Sequence, residues 1–117
     1  MVYTASSRAL AVLEVLVHLQ PLFIPSNFCV AEIKAPDSNI LTFDTTQLPA
    51  NWKDVSPPAE LKQIGNKFLK DGRYLLMKVP SSIVEQEFNY LLNPAHPDMQ
   101  KVKFLKTETF NFDNRLL

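Results

Sequence analysis

The period of hydrophobic and polar positions changes several times along the chain, and each change marks an element. Val2-Tyr3-Thr4 reads as the end of a strand that begins almost at Met1, and Ser6 or Ser7 is placed to cap a following helix by accepting a backbone N–H bond. From Ser7 to about Leu19 the period turns helical, with Leu10, Leu13 and Val17 on one stripe and Val12, Leu16 and Leu19 on another. A helix apolar nearly all round is expected to be buried, and Pro21 and Pro25 are expected to end it. Phe28 to Ala35 is rich in strand formers and stops at Pro36-Asp37, and Ile40 to Phe43 reads as a second short strand. Leu48 to Trp52 then reads as an irregular connection anchored by Trp52. Pro57-Pro58 preset the first turn of a second helix, in which Leu61, Ile64 and Phe68 recur at helical spacing before Asp71-Gly72 closes it. Tyr74 to Val79 is expected as a strand with Leu75, Met77 and Val79 on one face, ending at Pro80 for want of a donor. Val102 to Phe112 closes the chain as a long strand, with Val102, Phe104, Phe110 and Phe112 alternating against Lys103, Thr107 and Asn111.

Between the last two strands, Val79 to Asp98 breaks these patterns. A serine pair, then mixed carboxylate, carboxamide and aromatic groups, then a rigid Asn93-Pro94 and His96-Pro97 turn make a pocket wall rather than ordinary packing. The other half of that pocket is expected near the start of the chain, where Tyr3 and Glu14 bracket the serine turn and the apolar helix. Together they suggest a nucleotide-handling site.

Composition narrows the classes. The 117 residues, 46% hydrophobic and 21% charged, fit a single domain, 1–117, with a modest core. Twelve basic and twelve acidic residues cancel, so there is no basic stripe for nucleic-acid phosphates, and no direct nucleic-acid ligand is expected. Cys29 is the only cysteine, so neither a disulfide framework nor a metal-ligand pattern is expected; Cys29 reads as core, and a reducing cytoplasm as the natural home. Ala9 to Leu19 could pass for an export signal, but Glu14 and His18 interrupt it, and it is shorter than the ~20 residues of a membrane span. No membrane partner is expected.

Glu14 is the sharpest anomaly, because burying a carboxylate among leucines and valines is costly unless it is hydrogen-bonded or faces a wet cavity. The plainer reading pairs it with His18 one turn on. Tyr3 suits a half-buried core position with its hydroxyl at the surface. Ser81, at the C-terminal end of a strand, suits either a ligand site or an N-cap. Asn89 and Asn93 are the kind of residue that ties loops to backbone groups, and His96 has neither triad partners nor a second histidine at metal spacing, so all three read as structural.

Taken together, Val2-Tyr3-Thr4-Ala5-Ser6, Glu14 in its apolar helix, Val79-Pro80-Ser81 and the string Glu87-Phe-Asn89-Tyr-Leu-Leu-Asn93-Pro-Ala-His96-Pro-Asp98 resemble the RES domain, a family named for an Arg, a Glu and a Ser. The resemblance spans essentially the whole chain. It implies an α+β fold similar to ADP-ribosyltransferases, a mixed sheet with flanking helices. It also implies a toxin of a bacterial toxin–antitoxin pair that needs no cofactor, destroys NAD as its substrate and is held inactive by an Xre-type antitoxin covering the site. Tyr3, Glu14 and Ser81 match the family tyrosine, glutamate and serine. On the resemblance, Glu14 would bond the ribose hydroxyls and stabilise developing positive charge, Tyr3 would stack on nicotinamide, and Ser81 would position the ring or the ribose. The family arginine, in a Gly-Arg-Trp-Asn stretch before the tyrosine, has no counterpart among these residues. A domain lacking its first strand or strands is therefore expected, with little or no NAD degradation; a rate that collapses in Glu14→Ala would overturn that expectation. The alternative is a non-catalytic remnant that binds the antitoxin or forms a homodimer. The plainest reading is an unrelated α/β domain with Glu14 paired to His18.

Overall fold

A computed structural model of the chain describes residues 1–20 and 26–116. Pro21 and Pro25, expected to stop the first helix, lie outside the described residues. The first strand, β1 (Val2–Ala5), hands over to α1 (Arg8–Leu16), and the Ser7 hydroxyl caps α1 by accepting from the Leu10 N–H at 3.1 Å. The helix is shorter than its apolar pattern. Past Leu16 the bonds tighten to i,i−3, with His18 N–H on Val15 O at 3.0 Å and Leu19 N–H on Leu16 O at 3.1 Å, the usual way a frayed last turn satisfies its carbonyls. Nor is the helix buried all round. Leu10 is 1% exposed, but Leu13 and Val17 are 37% and 52% exposed, because only one side meets the sheet and a second lines a cavity.

Two strands then follow, β2 (Phe28–Lys34) and β3 (Ile40–Thr42), with a 3₁₀ turn at Thr45–Gln47 closed by a capping box from Asp44. Trp52 is buried in the connection that follows, as expected of an anchor. The second helix, α2 (Ala59–Asp71), starts after Pro58 and ends at Gly72, which takes the left-handed conformation at φ 62°. A Cβ at Gly72 would meet nothing within 4 Å, so Gly72→Ala is expected to cost only the backbone strain, about 1 kcal/mol of unfolding free energy in urea titrations. An unchanged midpoint would show that the turn relaxes.

The remaining strands are β4 (Leu76–Pro80), β5 (Phe88–Leu92) and β6 (Lys103–Phe110). The segment read as an irregular pocket wall contains β5, which lies inside the main sheet, in the order β1-β5-β4-β3. It runs antiparallel to both β1 and β4, while β3 and β4 are parallel, with α2 in the crossover between them. The fold is α+β with a mixed sheet.

Residues opposite each other in the ladders share a face. Tyr3, Ala5, Met77, Val79, Asn89 and Leu91 are on one side by register, and there α2 seals Met77 and Leu91 beneath Phe68. On the other side Leu75, Leu76 and Leu92 pack with Ile33, Met99 and Val102. Leu75 was expected to share a face with Met77 and Val79; it precedes the strand's first residue and joins the opposite cluster. β4 is thus covered on both faces.

The β2–β6 pair forms a separate two-stranded ribbon with a register shift at Glu32/Ile33. Its alternation does not translate into burial, since Phe104 is 74% exposed. The aromatic residues at its end gather instead, Phe28 and Phe110 each packing edge-on to Phe112 at 5.0 and 5.1 Å. Cys29, expected in the core, is exposed on β2, because a two-stranded ribbon leaves one face uncovered. Among the described residues no helix is long and apolar enough to cross a membrane.

Candidate functional site

β1 and α1 are joined by a tight serine turn, so the helix leaves the sheet beside its edge strand and a cleft opens between them. Tyr3, Ala5, Ala11, Glu14, His18 and Asn89 are among its lining residues, and the cavity holds about 610 Å³. That is within the usual range for a small-molecule site. Tyr3 reads as half-buried in the sequence; it stands 74% exposed at this wall, because β1 is the edge of the sheet and, among the described residues, no element covers it there.

Glu14 projects from α1 toward the interior of this cleft and is held by two donors on the same oxygen. The Ser81 hydroxyl donates to Oε1 at 2.6 Å and the Asn89 Nδ2 to the same atom at 2.8 Å. This resolves the carboxylate among apolar residues by hydrogen bonding, not by a salt bridge. His18, the expected alternative partner, lines the same cavity, but among the described residues the hydrogen bonds of Glu14 run to Ser81 and Asn89. The plain Glu14–His18 pairing is set aside.

Ser81 is 0% exposed and stands behind Glu14. Its oxygen accepts from Ile83 N–H and Val84 N–H, both at 3.0 Å, in the turn after β4. Ser81 thus ties a turn that leads to β5, with no helix following it, and at the same time backs Glu14. With two N–H groups occupying its lone pairs, the hydroxyl proton is committed to Glu14. The two converging donors occupy Oε1, so a ligand would meet Oε2.

Sequence reasoning missed Asn89. It was grouped with Asn93 and His96 as a loop tie, and for those two the reading holds: Asn93 Oδ1 accepts from Ala95 N–H, and His96 Nδ1 accepts from Asp98 N–H. Asn89 instead sits within β5, opposite Ala5 on one side and Val79 on the other, and lines the cavity. The available signal was a carboxamide flanked by Phe88 and Tyr90 at strand period, a polar group on a face otherwise bound for the core.

Fold and site together define an α+β domain with a cleft lined by a hydrogen-bonded carboxylate. The profile of the RES domain family matches residues 1–113, and the chain belongs to that family. It is 38% identical to the Prs ADP-ribosylating toxin of Sphingobium sp. strain YBL2, covering 99% of this chain and 74% of that protein. It is 39% identical to the Toxin Res of Yersinia enterocolitica, covering 98% of this chain and 76% of the relative. With the Toxin Res of Pseudomonas putida strain KT2440 the identity is 42%, over 98% of this chain and 78% of the relative.

Proposed function

We propose that this chain is the toxin of a bacterial toxin–antitoxin pair, acting in the cytoplasm, and that its cleft takes NAD and breaks the bond between nicotinamide and its ribose. The observation that carries the reading is Glu14, a carboxylate fixed through one oxygen at the wall of a cavity large enough for a nucleotide portion. Family membership supports it. So does one relative's name, which describes an ADP-ribosylating activity. Such a transfer must begin by breaking that same bond.

As the C–N bond breaks, its electron pair leaves with nicotinamide and positive charge develops on the ribosyl carbon, as in glycoside cleavage. Glu14 stabilises that charge through Oε2 and bonds the ribose hydroxyls. Tyr3, exposed at the mouth, stacks on the leaving ring. Ser81 acts through Glu14. An oxygen of water, phosphate or a protein side chain then bonds to the ribosyl carbon and loses its proton to solvent.

The resemblance calls for an arginine on the pyrophosphate. Among the described residues no arginine lines the cavity; Arg8 pairs with Glu32 at 2.9 Å and Arg115 with Asp113 at 2.8 Å, both at the surface. The lining is therefore poor in cations, and NAD binding is weak and KM high. The test is nicotinamide release by the purified chain at NAD up to about 10 mM, above the usual KM range. Release proportional to protein is expected, and intact NAD throughout would overturn the reading. A second reading, a non-catalytic binder of an Xre-type antitoxin or of a second copy, is favoured by β1, an edge strand with Val2 41% and Tyr3 74% exposed. Pull-down by the antitoxin without any NAD turnover would select it.

A further inference from the structure

We propose that Asn89 is a positioning residue for Glu14, holding the carboxylate in one rotamer while Oε2 stays free. This rests on the reading of the cleft as an NAD-cleaving site. The two asparagines of the same segment make the case by contrast. Asn93 is 2% exposed and uses both ends of its side chain, Nδ2 on Leu69 O and Oδ1 on Ala95 N–H. That is what a buried carboxamide does when the fold is all it serves. Asn89 gives Nδ2 to Glu14 at 2.8 Å and leaves Oδ1 buried with no partner among the described residues.

An unpaired buried acceptor costs free energy that a plain core residue would not. The reverse orientation is worse still, since it would set Oδ1 against the carboxylate oxygen. The charge on Glu14 therefore fixes which way the amide points, and the fold tolerates the orphaned oxygen in exchange. Nothing local in the sequence couples the two residues. Asn89 reaches Glu14 because the β1–β5 ladder places it opposite Ala5, on the face that α1 overhangs.

Removing the amide leaves Oε1 with the Ser81 hydroxyl alone. The carboxylate then gains rotamer freedom. Asn89→Asp is the diagnostic change because it keeps the shape. When its carboxyl is protonated it donates to Glu14 as the amide does; when both groups ionise they repel.

The experiment measures nicotinamide release against pH for wild type, Asn89→Ala and Asn89→Asp. Asn89→Ala is expected to lose at least about thirtyfold in kcat with KM within about threefold of wild type. The ratio of Asn89→Asp to wild type is expected to fall at least about tenfold between roughly pH 5 and pH 8. His18 and Tyr3, the other titratable groups lining the cavity, are present in both proteins and cancel in that ratio. A flat ratio, or wild-type kcat in Asn89→Ala, overturns the proposal. Should Asn89→Ala fail to fold, the Asn89→Asp ratio decides alone. Should wild type release no nicotinamide, the NAD reading falls, and the Asn89 role is judged by the side-chain rotamer of Glu14, read from NMR three-bond couplings. A single Glu14 rotamer in wild type and averaging among rotamers in Asn89→Ala are then expected, and the same single rotamer in both overturns it.

Discussion

Glu14→Gln is expected to reduce nicotinamide release from NAD by at least about 100-fold while the thermal midpoint stays level or rises. Few substitutions separate charge from shape so cleanly at this position. Ser81 and Asn89 both donate to Oε1, and a glutamine carbonyl accepts the same two bonds. Its amide nitrogen then occupies the place of Oε2 and presents donors where the developing positive charge needs an anion. The fold loses nothing it used, and it sheds the cost of holding a half-buried charge. Nicotinamide release at fixed NAD and circular-dichroism melts, run on wild type and variant together, read the two effects independently. A variant that keeps the wild-type rate would mean that Glu14 serves only the fold. A variant that unfolds would mean that its carboxylate carries a bond beyond these two.

What could be read in the sequence was whatever depends on neighbours along the chain. The Ser7 cap, the Pro58 start and Gly72 stop of α2, the Pro80 end of β4 and the His96 turn are all local chemistry, and each stands where the residues imply. Burial was less legible. The pattern of α1 is apolar on every side, yet how much of it is covered depends on the elements around it, and an edge strand together with a cavity leaves Leu13 and Val17 in the open. Phe104 and Cys29 are exposed for a related reason, since a two-stranded ribbon covers less than its alternation suggests. β5 was hidden by its own content, with Asn89 interrupting an otherwise strand-like Phe-Asn-Tyr-Leu-Leu run.

The candidate site divides in the same way. Glu14 stood out because it violates its surroundings, and Ser81 because of its place after Pro80. That they touch could not be inferred from spacing. They are 67 positions apart, and Asn89 is 75 from Glu14, so only the sheet order β1-β5-β4 brings them within bonding distance.

The two duties of Ser81 lead to the other large effect. Ser81→Ala removes one donor to Glu14 and two acceptor contacts to the turn at Ile83 and Val84, so it should damage fold and function together. Ser81 is 0% exposed, so its own place is closed to solvent in the folded chain. The expected cost is about 1–3 kcal/mol, seen as a fall in thermal midpoint of roughly 4–10 °C. Asn89 still holds Oε1 in the variant, so the loss of kcat should be smaller than in Glu14→Gln, roughly tenfold. In the Glu14→Gln background Ser81→Ala should still lower the midpoint, because the turn bonds do not involve Glu14, but it should take nothing further from the rate. A Ser81 that touched substrate directly would instead raise KM in both backgrounds. The same double-mutant cycle therefore separates a serine that works through the glutamate from one that binds the ligand itself.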